Sequence, residues 1–235
     1  MVGDRGYDFS GVLQDAGLDF NPLDATDPNY RTEVSAMQYS RVYQNVLRLL
    51  QDETFGASGS ELVAPGAFRM MCYCIISCDN LGQAIQRASE FYRTFFDERS
   101  QLYANFSDQY ARVGYRNMRG QRHSRVAAAD AYGLSMWHRF FGWLCGRPIE
   151  LKRVDFVGEP PERLEKYESL FGCPLNFRQQ NDLLYFDSAC LAWPVVHTQH
   201  SLREFLRTAP YPVSYTHLRA HETERLISYA VFCLK

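Results

Sequence analysis

From Gln109 to Ala129 the chain carries Arg112, Arg116, Arg119, Arg122 and Arg125, with no Asp or Glu between them. A guanidinium fork matches the planar oxygens of a carboxylate or phosphate, so this spacing offers anion recognition. Ala111, Val113 and Tyr115 alternate with Arg112 and Arg116, which places the two arginines on the polar face of a strand. Arg112 or Arg116 is then the candidate contact for an acidic ligand. The competing reading is a solvated sheet face, where charge runs usually lie.

The next helical pattern, Ser124 to Cys145, brings Trp137, Phe140, Phe141 and Leu144 onto one stripe. Small residues at its start and bulky rings further on describe a hollow with aromatic walls. Tyr132 and Trp137 would line it, with Arg69 and Tyr73 joining if the helix after Pro65 faces this one. A plain aromatic core explains the same stripe without any ligand.

Other chemistries find less support. Seven cysteines in a chain without a secretion signal read as reduced thiols and mostly as small buried hydrophobes. Cys74 and Cys78 share a face at helical spacing, but with Cys72 they lack the fourth ligand a zinc site needs. The six histidines form no H-E-x-x-H pattern, and His197 and His200 are expected at the surface. No nucleophile elbow, P-loop or dinucleotide fingerprint occurs. The expectation is no metal, no cofactor and no enzyme.

The positioning elements are legible from their punctuation. Phe9 to Leu18 and Glu33 to Gln51 read as helices, with Val42, Val46 and Leu50 among an apolar stripe. The Pro65 helix is apolar almost all round and is expected to be covered on most sides. Asn80 caps a helix whose stripe runs Leu81, Ala84, Ile85, Ala88, Phe91, Tyr92 and Phe95. Leu102–Phe106 and Ala111–Tyr115 form a hairpin around Ser107-Asp108. Ile149 to Phe156 is a strand, Pro160-Pro161 starts a helix and Gly172 with Pro174 stops it. Leu175–Phe177 and Leu183–Phe186, separated by Gln180-Asn181-Asp182, are expected to pair as a second hairpin. These elements predict an α+β fold, a small, mostly antiparallel sheet packed with several helices as a single sensor domain.

The Pro65-Gly66-Ala67-Phe68 opening, the Asp79-to-Ala84 junction, the Val154-Asp155-Phe156 strand and the run from Tyr167 to Asn176 occur together in this order. Over residues 9 to 213 the chain resembles the N-terminal, arabinose-binding-type effector domain of AraC-family transcriptional regulators. The resemblance implies a bacterial small-molecule sensor joined to a C-terminal pair of helix-turn-helix motifs that bind promoter DNA.

Residues 1–213 are accordingly expected to form the effector-binding and dimerisation domain. Residues 214–235 are too short for a helix-turn-helix pair, and Ser214 to Thr223 reads as translated adaptor or vector sequence, so this segment is expected to be a non-native tail. DNA would then be reached only through a part this chain lacks. The formal charge of −2 argues against bulk nucleic-acid binding. The longest apolar run, Met70 to Ile76, is far short of the ~20 residues that span a bilayer, so a cytoplasmic location is expected. The predicted function is sensing of a small effector, an organic acid in the arginine reading. The alternatives are a ligand-free module that forms a homodimer through apolar helix faces and, more remotely, an enzyme without a visible motif.

Overall fold

The computed structural model describes residues 9–22, 24, 26–31, 34–53, 62–96, 102–116, 124–161 and 164–208. The expected tail, 214–235, and the arginines at 119 and 122 lie outside them. The chain divides into two compact units: one runs to Phe68 and takes in the chain from Glu204, and the other spans Arg69–Arg203.

In the first unit α1 (Phe9–Asp15) packs on α2 (Ala36–Leu50). Ser35 starts α2 with a capping box. Its hydroxyl accepts from Gln38 N at 3.2 Å, and the Gln38 side chain accepts from Ser35 N at 3.0 Å. Val42, Val46 and Leu50 are buried along one stripe, as are Val12, Leu13 and Ala16 of α1 and its exit. The start of α3 (Ala67–Ile75) is held by the Glu53 carboxylate, which accepts from Phe68 N at 2.7 Å and from Gly66 N. Sequence punctuation shows the Pro65 start but not this distant acidic cap.

The nearly all-round burial expected of α3 does not occur. Met71, Cys72 and Ile75 are buried, whereas Arg69 and Cys74 are exposed and Met70 keeps 53% of its surface in water. A helix this short buries one stripe, and the apolar residues on its other side stay solvated.

The second unit holds α4 (Leu81–Phe95), β1 (Tyr103–Phe106), β2 (Tyr110–Arg116), α5 (Ser124–Leu144), β3 (Leu151–Asp155), α6 (Leu164–Phe171), β4 (Leu175–Asn176), β5 (Asn181–Asp187) and a 3-10 helix, Ser188–Ala192. The last helix, α7 (Gln199–Thr208), begins in it. The sheet order is β1-β2-β5-β3-β4, antiparallel except for the β3–β4 pair. The expected α+β architecture is present, and so is the first hairpin. The second hairpin is not. β5 inserts between β2 and β3, and the two-residue β4 pairs with β3 alone. Asp182, Leu183, Leu184 and Phe186 are all buried, which suits a central strand better than one arm of an edge hairpin.

Helices α4 and α5 lie against the sheet. The Ser89 hydroxyl donates to Leu102 O at 2.6 Å, α5 packs on β5, and its Trp137 reaches β2. Gly172 ends α6 at φ +65°, the left-handed conformation that glycine adopts without strain. The Trp193-Pro194 corner docks on the start of α4, where Trp193 O accepts from Leu81 N at 2.9 Å.

Candidate functional site

Alternation along β2 sorts its side chains. Ala111, Val113 and Tyr115 leave one face, with Ala111 and Val113 fully buried, and Arg112 leaves the other. Arg112 is half-buried. It stands opposite Asn105 of β1 and Tyr185 of β5, and its guanidinium donates to the Asn105 side-chain oxygen. Among the described residues that amide is its only polar partner. A partly desolvated guanidinium with a neutral partner is electrostatically incomplete, and an anion would complete it.

The row continues across the sheet. Tyr185 pairs with Arg153 of β3, whose guanidinium carbon sits 3.9 Å from the centre of the Tyr185 ring. Arg153 also pairs with Asp155, Nε to Oδ1 at 3.3 Å, and Asn176 donates to the same oxygen at 2.9 Å. Asp155 is thus buried but well satisfied. Burial raises the Tyr185 phenol, and its bond to Tyr185 holds the Arg153 guanidinium even higher than usual. Asn105, Arg112, Tyr185 and Arg153 therefore cross four strands in register, with Tyr185 between the two arginines in the ladder.

Trp137 belongs to the opposite side. It is buried, its Nε1 donates to the Tyr115 hydroxyl at 2.9 Å, and rings of Tyr92, Phe140 and Phe141 surround it at 5.4–6.1 Å. Arg112 and Tyr115 lie three positions apart, so the sheet separates Arg112 from Trp137. Tyr132 is half-buried on α5. Arg69 and Tyr73 stand one turn apart on α3, the first exposed and the second half-buried. Arg116 pairs with Asn181 in the ladder, and its side chain lies outside the described residues. The small residues 127–129 that suggested a hollow also have side chains outside them.

The thiols and imidazoles form no metal site among the described residues. Cys72, Cys78, Cys145 and Cys190 are buried, but Cys74 is exposed and Cys78 falls beyond the end of α3, so Cys74 and Cys78 do not share a helix face. His200 is exposed as expected. His197 is not simply a surface group: it stacks on Trp143 at 3.9 Å and 6°.

Residues 6–195 match the arabinose-binding domain found at the N-terminus of AraC transcription regulators. The chain belongs to that family. Over 199 residues it is 24% identical to the ornithine utilization regulator of Pseudomonas aeruginosa strain PAO1, covering 83% of this chain and 56% of that protein. The crystal structure of the transcriptional regulator CdpR, also from Pseudomonas aeruginosa, matches with a TM-score of 0.41 at 14% identity, over 74% of this chain and 50% of that one. The chain spans about half the length of these relatives. The family is one of regulatory ligand-binding domains rather than of enzymes, and no described helix is long and apolar enough to cross a membrane.

The motifs behind the resemblance do structural work in this AraC-type domain. Asn80 caps α4, Val154 to Phe156 closes β3, and Tyr167 to Asn176 turns α6 into β4. The polar row was missed apart from Arg112. Arg153 and Asp155 sit two apart on a strand, and Tyr185 interrupts an otherwise buried run, but only the register shows that they meet.

Proposed function

We propose that this AraC-type domain is an effector sensor for a small organic anion, and that Arg112 receives the anion. The supporting observation is Arg112 itself: half-buried, on an ordered strand, and bonded among the described residues only to a neutral amide. The ornithine utilization regulator is named for an amino acid, and a carboxylate of that kind suits a guanidinium fork. In an intact regulator, an effector that prefers one of two conformations would bias the DNA-binding part; without differential affinity there is no switch. Such a protein would work in the cytoplasm. Of the other residues read as ligand contacts, Trp137 is better assigned to the core that holds α5 on the sheet, while Arg69, Tyr73, Arg116 and Tyr132 remain secondary candidates.

A thermal-shift screen of the chain against organic acids, amino acids and amines tests this, because a ligand that binds only the folded state raises its melting temperature. We expect saturable shifts from acids, lost in Arg112→Ala with the fold intact. Shifts that survive Arg112→Ala would remove Arg112 from the site.

A second reading, a homodimerisation module, is favoured by Met70 and Phe95, which keep 53% and 65% of their surfaces exposed on α3 and α4. A concentration-dependent dimer in sedimentation velocity, together with no ligand shift across the thermal screen, would favour this second reading.

A further inference from the structure

We infer that the polar row of the sheet is a site for an aromatic monocarboxylate, the carboxylate seated on Arg112 and the ring stacked on the outer face of the Arg153 guanidinium. The inference rests on the sensing function proposed above and specifies its ligand. Arg153 sits over Tyr185, with its guanidinium carbon 3.9 Å from the ring centre, so one side of the cation is already covered by a π system. Asp155 engages its Nε and Nη2, which fixes the plane. The Arg153 side chain nevertheless keeps 46% of its surface exposed. A flat, immobilised cation with an open face is a stacking platform, and a second aromatic ring would complete a sandwich around it. An ammonium group offers no such plane.

Charge sets the rest. The row contains two guanidiniums and, in Asp155, one buried carboxylate, which leaves a single positive charge on Arg112. A monoanion balances it, whereas a dianion would overshoot. Arg112 and Arg153 both pair with Tyr185, from β2 and β3, so their backbones lie two strand spacings apart, roughly 10 Å. That span suits a ring carrying its carboxylate directly. Among the described residues Arg112 bonds only to Asn105, which leaves most of its N–H donors for the ligand.

Isothermal titration of the 235-residue chain with benzoate, cyclohexanecarboxylate and benzamide separates the contributions. Benzoate should bind saturably, cyclohexanecarboxylate roughly three- to ten-fold more weakly for want of a π face, and benzamide not at all. Arg112→Gln should abolish binding of both acids. Arg153→Lys, which keeps the charge but not the plane, should erase the preference for benzoate over cyclohexanecarboxylate. Thermal melts verify folding of each variant. Equal binding of the two acids, with Arg153→Lys unchanged and Arg112→Gln inactive, would overturn the aromatic site and leave Arg112 as an anion sensor. No saturable binding of benzoate would overturn it as well. In that case an effector from the wider screen that depends on Arg112 still supports the sensing function, and the absence of any such effector removes both.

Discussion

The indole of Trp137 and the hydroxyl of Tyr115 share a 2.9 Å hydrogen bond that ties the middle of α5 to β2. Gly133, one turn earlier on α5, makes room for it, since a Cβ there would lie 2.9 Å from the Tyr115 hydroxyl. Tyr115→Phe leaves the buried indole N–H without this acceptor and should cost about 1–2 kcal/mol. Gly133→Ala improves helix propensity by up to ~1 kcal/mol, yet it should be destabilising on balance because the phenol must shift. Urea denaturation of both variants measures this. A neutral Tyr115→Phe would show that packing alone holds α5 in place.

Asn80 starts α4, with extended backbone at φ −146° and a side-chain oxygen that accepts from Gln83 N at 3.0 Å. Asn80→Ala removes a helix cap and should lower stability by about 1 kcal/mol, whereas Asn80→Asp should be close to neutral. Leu81, Ala84, Ile85 and Ala88 are fully buried behind the cap, so fraying should also appear as faster amide exchange in the first turn of α4. Unchanged exchange in Asn80→Ala would mean that the Trp193-Pro194 corner is what holds this turn.

Local signals carried most of the fold. Asn80, Gly172 and the Ala111/Val113/Tyr115 alternation each act within a few residues, and each predicted its element. Failures came where a distant partner decides. Leu175–Phe177 and Leu183–Phe186 looked like hairpin arms because their turn residues are adjacent. The structure instead places β5 between β2 and β3, a choice made by burial of Leu184 and Phe186 that no turn reveals. The site divides in the same way. Arg112 was visible as a charge opposite an apolar alternation, but Tyr185 and Arg153 join it only through strand register. Trp137 was visible as part of a stripe, and alternation on β2 then placed it on the other side of the sheet from Arg112.

The thiols should separate cleanly by exposure. Cys74 is exposed, while burial pushes Cys145 up to about 11 and also raises Cys78 and Cys190. A thiolate is the reactive form, so at pH 8 iodoacetamide should label Cys74 well before these three. Cys173 is only half-buried, but its thiol is likewise pushed up to about 11 and should lag behind Cys74. Peptide mapping by mass spectrometry after timed labelling gives the order. Early modification of Cys145 would show that the end of α5 opens readily.

His197 supplies a pH dependence with a definite sign. Its ring stacks on Trp143 at 3.9 Å, its Nδ1 lies 3.2 Å from the Ser201 hydroxyl, and burial lowers its pKa below 6.5 despite an opposing bond to the Trp143 backbone. A depressed histidine binds its proton less readily folded than unfolded. Between the two values the unfolded chain therefore carries more protons, and stability rises with pH. The contribution of His197 should be complete above about 6.5 and decline as pH falls from there toward the folded-state value. Thermal melts from pH 5 to 8 should show this slope, and His197→Phe, which keeps the stack on Trp143 but cannot titrate, should flatten it. An identical slope in His197→Phe would assign the dependence to other groups.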